Sequence, residues 1–174
     1  MQDLKHFVCP KWDDLPNEGL RSSETIKYIE NCLRDIFIED PIITNTMIQN
    51  YRRWGLLNKT ESRLYYRADI AKLIVISIYK QIISINSISK GFVLAFKKMT
   101  IEKSFNSFSE VLTETIQSIY KSMDEEGNFT IEKRVINNKE VGLCAIAYAY
   151  SMKLLGYLII KENGIENIRG KNND

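Results

Sequence analysis

Apolar residues recur at helical spacing along most of this chain, and one short basic stretch interrupts them. Ile26, Ile29, Leu33, Ile36 and Phe37 share one face of a first helix. Ser22 or Ser23 is placed to open it, though Glu24 lies too close to either serine for a strict capping box. Glu39-Asp40-Pro41 closes it, because proline disfavours helical backbone in the residue before it. Met47, Ile48, Tyr51 and Trp54 form a second, shorter stripe behind Thr44, a good N-cap. Gly55 suits the end of that helix, and Leu56-Leu57 turns back into the core. Residues 58–67 are too short for a helix. Tyr65 and Tyr66 follow the polar run Lys59-Thr60-Glu61-Ser62, which predicts two short strands in a hairpin. Asp69 then caps a third helix, in which Ile70, Leu73, Ile74, Ile76, Ile78 and Ile82 are apolar on most sides and predict deep burial.

Ser84 to Ser87 separate that helix from a fourth carrying Ile88, Phe92, Leu94 and Phe96. Beyond it, Ile101, Phe105, Phe108, Leu112, Thr115 and Ile119 alternate steps of four and three, with Ile116 and Met123 beside the same seam. A coiled-coil-like stripe of this kind packs on its own core or on a second copy. Phe105, Phe108, Leu112, Ile116, Ile119 and Met123 are taken here as a dimerisation face. Gly127-Asn128 reads as a turn, and Phe129 to Val135 fit a short extended piece weakly. Asn137 or Asn138 caps a last helix from Lys139 to Ile160, with Gly142, Ala145, Ala149 and Gly156 on one stripe that invites a closely packed neighbour. Its length and apolarity raise a transmembrane reading, against which stand Lys153, Tyr148, Tyr150 and Ser151.

The expected fold is mainly α. It has a winged helix-turn-helix N-terminal half with a small β-hairpin wing, then an all-helical C-terminal half. The expected division is residues 1–97 for the first unit, including an irregular arm that Phe7 and Trp12 pin down. Residues 98–160 form a dimerisation or effector region, and residues 161–174 a flexible tail.

Charge sharpens this picture through its distribution rather than its sum. Net charge is only +2, yet residues 1–40 hold five Lys/Arg against nine Asp/Glu. Residues 44–67 hold five (Arg52, Arg53, Lys59, Arg63, Arg67) against Glu61 alone. A phosphate-facing surface needs such a local positive field. The three cysteines (Cys9, Cys32, Cys144) lack metal-ligand or disulfide-framework spacing. His6 is the only histidine, and no phosphate-cradling glycine loop or nucleophile motif occurs. The chain reads as a cytoplasmic non-enzyme with no cofactor, no metal and no membrane span.

The chemistry of residues 44–67 suits double-stranded DNA. Asn and Gln amides bond adenine bidentately in the major groove, so Asn45, Thr46, Gln49 and Asn50 are the candidate base readers, in the first turns of a recognition helix. Thr44, Arg52, Arg53, Lys59, Arg63, Tyr65, Tyr66 and Arg67 are the candidate phosphate contacts, which position without reading sequence.

The run Ile43-Thr44 through Tyr51-Arg52-Arg53-Trp54-Gly55-Leu56-Leu57, then Arg63-Leu64-Tyr65-Tyr66 and Asp69-Ile70-Ala71, resembles the winged helix-turn-helix of MerR-type regulators over roughly residues 41–95. Gln49 stands where that family has an arginine, and its Gly-Tyr-Arg wing motif is missing. Trp12, Leu15-Pro16 and the chain length further resemble a bacterial family of unknown function whose N-terminal half is considered MerR-like. The resemblance implies a transcriptional regulator that binds DNA as a homodimer and answers to an unknown small-molecule or protein effector. The alternative is a helical protein-protein interaction module without DNA binding, in which the Phe105–Met123 stripe takes a partner helix.

Overall fold

A computed structural model describes residues 4–38, 40–58, 63–121, 130 and 141–169. Within them lie seven α-helices: α1 (Ser22–Leu33), α2 (Asn45–Arg53), α3 (Arg67–Tyr79), α4 (Ile85–Phe96), α5 (Ile101–Lys121), α6 (Val141–Lys161) and α7 (Ile165–Arg169). Short 3-10 turns cover Leu4–His6, Trp12–Asp14 and Arg34–Ile36.

The apolar-all-round sequence of α3 places it at the centre, where Asp69 through Tyr79 are buried except Lys72. Helices α1, α4, α5 and α6 pack around it, and the α5–α6 pair is the most extensive helix contact. Tyr150 on α6 donates its hydroxyl to the Ile36 carbonyl at 2.6 Å, fastening α6 to the turn after α1. One continuous cluster of buried apolar side chains runs from Leu4 to Ile168. It crosses residue 97, so the expected boundary there separates no cores. Within the expected tail, Ile165–Arg169 is helical with Ile168 fully buried, and residues 170–174 lie outside the described residues.

The heptad stripe meets its own chain. Phe105, Phe108, Leu112, Ile116 and Ile119 are all within 2 % of full burial, which corrects their assignment to a dimer face. Met123 lies outside the described residues, as do the expected Gly127-Asn128 turn, the 129–135 extended piece and the Asn137/Asn138 cap. The polar edge of α5 holds the N-terminal arm. Gln117 donates to the Phe7 carbonyl at 2.9 Å, and Ser109 to the Cys9 carbonyl at 2.7 Å. Thr113 Oγ1 accepts the Cys9 N–H at 3.0 Å, and Asn106 Oδ1 the Trp12 N–H at 2.8 Å. The arm thus runs antiparallel to α5, satisfying backbone groups that an irregular segment would otherwise leave unpaired.

α6 is long and apolar enough to cross a membrane by length and composition. Here Cys144, Ala147, Tyr150, Ser151, Leu154, Leu155 and Leu158 pack it into the core. Of its small stripe, Gly142, Ala145 and Ala149 are exposed, so no described helix packs closely there.

The first helix ends earlier than the proline rule alone predicts, tightening at Leu33 into the 3-10 turn. Its cap is Arg21, whose N–H is held by Glu24 at 2.7 Å, rather than Ser22 or Ser23. Ser84 N-caps α4, accepting the Ser87 N–H at 3.2 Å. Within α4, a Cβ added at Gly91 would meet nothing within 4 Å. Gly91→Ala is therefore expected to stabilise the fold by about 0.5–1 kcal/mol, read as a raised urea midpoint at unchanged slope.

The β-hairpin wing is not present among the described residues. Among the described residues there is no strand, only an isolated antiparallel bridge between Leu20 and Tyr65. Tyr65 donates to the Leu20 carbonyl at 2.8 Å and accepts the Leu20 N–H at 2.9 Å. Tyr65 is therefore stitched to the N-terminal arm. Close approach requires Gly19, where a Cβ would sit 2.9 Å from the Tyr66 ring and 3.0 Å from Leu64 Cβ. Lys59 to Ser62 lie outside the described residues.

Candidate functional site

Helix α2 is a short, firmly framed platform. Thr44 has extended backbone and its hydroxyl accepts the Met47 N–H at 3.2 Å, as an N-cap should. At the other end Gly55 has φ of 76°. The Leu56 N–H reaches the Tyr51 carbonyl at 2.9 Å and the Gly55 N–H the Arg52 carbonyl at 3.1 Å, the paired bonds of a Schellman motif. Ile48 and Tyr51 seal the inner face. Just past the end of α3, Lys80 donates to the Ile42 carbonyl at 2.8 Å and lies 3.5 Å from Met47 sulfur, so the chain just before the cap is tied down as well. Burial beside these partners lowers the Lys80 pKa.

The outward face carries Asn45, Thr46 and Gln49, all exposed, with no carboxylate anywhere on α2. Asn45 Oδ1 accepts a hydrogen bond from Ser22 at 2.7 Å, which joins the first turns of α1 and α2. Asn50 is half-buried and its Oδ1 accepts from the Arg53 guanidinium, so it fixes Arg53 more than it presents an amide. The connection from Arg34 to Thr44 is longer than the turn of about three or four residues that joins an ordinary helix-turn-helix pair.

The expected phosphate contacts differ in how far they reach the surface. Arg53, Arg63 and Tyr66 are exposed. Thr44 is half-buried, and its hydroxyl oxygen accepts the cap bond from Met47 while its O–H is not used there. Tyr65 is buried, because its backbone pairs with Leu20 and its ring lies under Arg52, whose guanidinium carbon sits 4.5 Å from the ring centroid. Arg52 Nε and Nη2 are themselves buried without a hydrogen-bond partner. Arg67 turns to the arm, 3.6 Å from the Asp13 carboxylate and over the Trp12 ring at 5.9 Å. Tyr65, Arg52 and Arg67 are thus corrected from ligand contacts to internal fasteners. Lys59 lies outside the described residues.

Two side chains that the sequence pattern misassigned bear on the site. Trp54 was counted with the apolar stripe, yet it is 53 % exposed beside Arg53. Its place as the last residue before Gly55, where helical periodicity ends, was the available warning. Asp69 is not an N-cap but the third residue of α3, and it is buried. Its two oxygens accept the Asn58 N–H at 3.2 Å and the Tyr66 N–H at 3.4 Å, clamping both ends of the basic loop.

Residues 10–123 match the family model of a domain of unknown function, DUF1836. The chain belongs to that family. The DUF1836 segment holds the arm from Pro10, the α2 platform, the Asp69 clamp and all of α5, whereas α6 lies beyond it. No curated protein and no solved structure matches the chain.

The three cysteines of this DUF1836 chain are free thiols. Burial pushes the Cys9 thiol up to about 12, Cys144 is also buried, and burial raises the Cys32 pKa. Among the described residues no three His, Cys, Asp or Glu side chains are grouped to hold a metal ion.

Proposed function

We propose that this chain is a transcriptional regulator that binds double-stranded DNA, with α2 in the major groove. The observation that carries the reading is the outer face of α2: Asn45, Thr46 and Gln49 exposed together and free of carboxylates, on a helix fixed at both ends and behind. At nine residues the helix is about 13 Å long, comparable to the ~12 Å width of the groove. Arg53, Arg63 and Lys59 are the phosphate contacts of this reading, with Tyr66 as a neutral donor. The MerR-type resemblance supports it at the recognition helix and not through a wing. A cytoplasmic homodimer on a palindromic site is part of the proposal, and its interface lies away from the α5 stripe.

Selection from a random duplex library, followed by fluorescence anisotropy on the enriched sequence, tests the reading. With two or three phosphate contacts per protomer, log K should fall with log salt at a slope of about −2 to −3 per protomer. Arg53→Ala should flatten that slope by about one, and Gln49→Ala should cut discrimination at one base pair by about 1–3 kcal/mol. Failure of any sequence to enrich, or binding indifferent to salt, would sink the proposal.

A second reading, a protein-interaction surface, is favoured by Trp54 and Arg53 side by side on the surface, the residue types that dominate binding energy at protein interfaces. No enrichment of DNA, together with self-association abolished by Trp54→Ala, would select it.

A further inference from the structure

A cavity of about 310 Å³ opens between α3, α4, α5 and α6, within the range of small-molecule sites. Its walls are largely apolar and aromatic. Phe92 and Phe96 stack with centroids 5.5 Å apart on α4, and Phe108 meets Tyr79 edge-on at 5.5 Å. Ile146 closes the α6 side. Among the described residues that line it are two lysines, Lys72 and Lys98, and no aspartate or glutamate. Lys72 stands in the middle of the otherwise buried α3, half-buried, with its ammonium 5.8 Å from the Phe96 ring. The Tyr79 hydroxyl, on another lining residue, is buried without a hydrogen-bond partner.

We propose that this cavity binds a small organic carboxylate with an apolar body, Lys72 pairing with the carboxylate and the α4 aromatics covering the tail. The complementarity is of both charge and surface: a cation at the wall of an apolar chamber with no internal anion attracts an amphiphilic anion and discriminates against its neutral analogue. Burial lowers the Lys72 pKa, with Asp69 opposing, so a bound anion would recover solvation that folding removed. The wall that admits the ligand is α4. Only Ile88 of that helix is buried, and Val93 and Leu94 remain exposed. The site is independent of the DNA reading, and its test reads ligand alone.

Calorimetry on the full chain with four probes decides it: octanoate, octanol, 2-naphthoate and 2-naphthol. The expected result is that at least one acid binds ten-fold or more tighter than its alcohol, and which acid does so separates an aliphatic from an aromatic ligand. Lys72→Gln should abolish that preference while leaving the alcohol unchanged. Gly91→Leu, which adds bulk at the wall where a Cβ meets nothing within 4 Å, should weaken acid and alcohol alike. Amide chemical-shift changes in the unmodified protein should centre on α3 and α4, which locates the site without relying on any variant. No heat with any probe, equal affinity for acid and alcohol, a preference that survives Lys72→Gln, or shifts centred elsewhere would each overturn the assignment.

Discussion

Phe108→Ala is expected to remove about 3–5 kcal/mol of stability, with an unfolding midpoint that does not move when the protein is diluted ten-fold. Phe108 is 1 % exposed and lies edge-to-face on Tyr79 at 5.5 Å and tilted against Phe105 at 6.0 Å. Truncation opens a void between α3 and α5 that rigid helices close only partly, so the cavity penalty adds to the lost transfer energy. The dilution arm decides between the two meanings of a heptad stripe. A core seam stabilises each chain by itself, whereas a seam between chains stabilises by an amount that rises with the logarithm of protomer concentration. Urea melts at two concentrations measure both. A loss under about 1 kcal/mol, with a concentration-dependent midpoint, would return the stripe to a dimer interface.

That stripe shows what periodicity carries and what it does not. Steps of four and three at Phe105, Phe108 and Leu112 demand an apolar partner, but they are silent on whose it is; α6, α3 and the arm supply it here. Local rules were sufficient where both partners are near in sequence. Thr44 caps α2, Gly55 ends it in the left-handed region, and α3 is buried on nearly all sides, each as the spacing indicated. They failed where a residue's partner lies far along the chain. The Leu20–Tyr65 bridge, Arg67 on Asp13 and the arm on α5 join segments separated by 45 residues or more, and no window of sequence contains both ends. The basic loop misled for a further reason. Arginine is amphipathic and its flat guanidinium stacks on rings, so a cation written on a polar face can serve as packing. Arg52 over Tyr65 is such a case, and the positive field of residues 44–67 is thinner at the surface than its five Lys/Arg suggest.

Asp69→Ala is expected to cost about 3 kcal/mol, although it deletes only a carboxylate at the edge of the core. The side chain is 1 % exposed and holds the Asn58 and Tyr66 amides at 3.2 and 3.4 Å. Hydrogen bonds to a charged acceptor contribute about 1.5–3 kcal/mol each, and these two, being long, belong near the lower figure. Removing the acceptor also leaves both backbone donors without their partner, so no compensating gain offsets the loss. Asp69→Asn keeps the shape and one acceptor oxygen, and should fall about midway between wild type and Asp69→Ala. The decisive readout is local. Hydrogen exchange at Asn58 and Tyr66 should accelerate by at least ten-fold beyond the change seen at Ile76, which reports global opening of α3. Because these two amides flank the loop that holds Arg63, the proposed DNA binding would add a second readout: the same variant should weaken retention and leave any Gln49-dependent base preference in place. Stability within about 0.5 kcal/mol of wild type, with unchanged exchange at both amides, would show that the loop is held by Tyr65 and Leu20 alone and that Asp69 is no clamp.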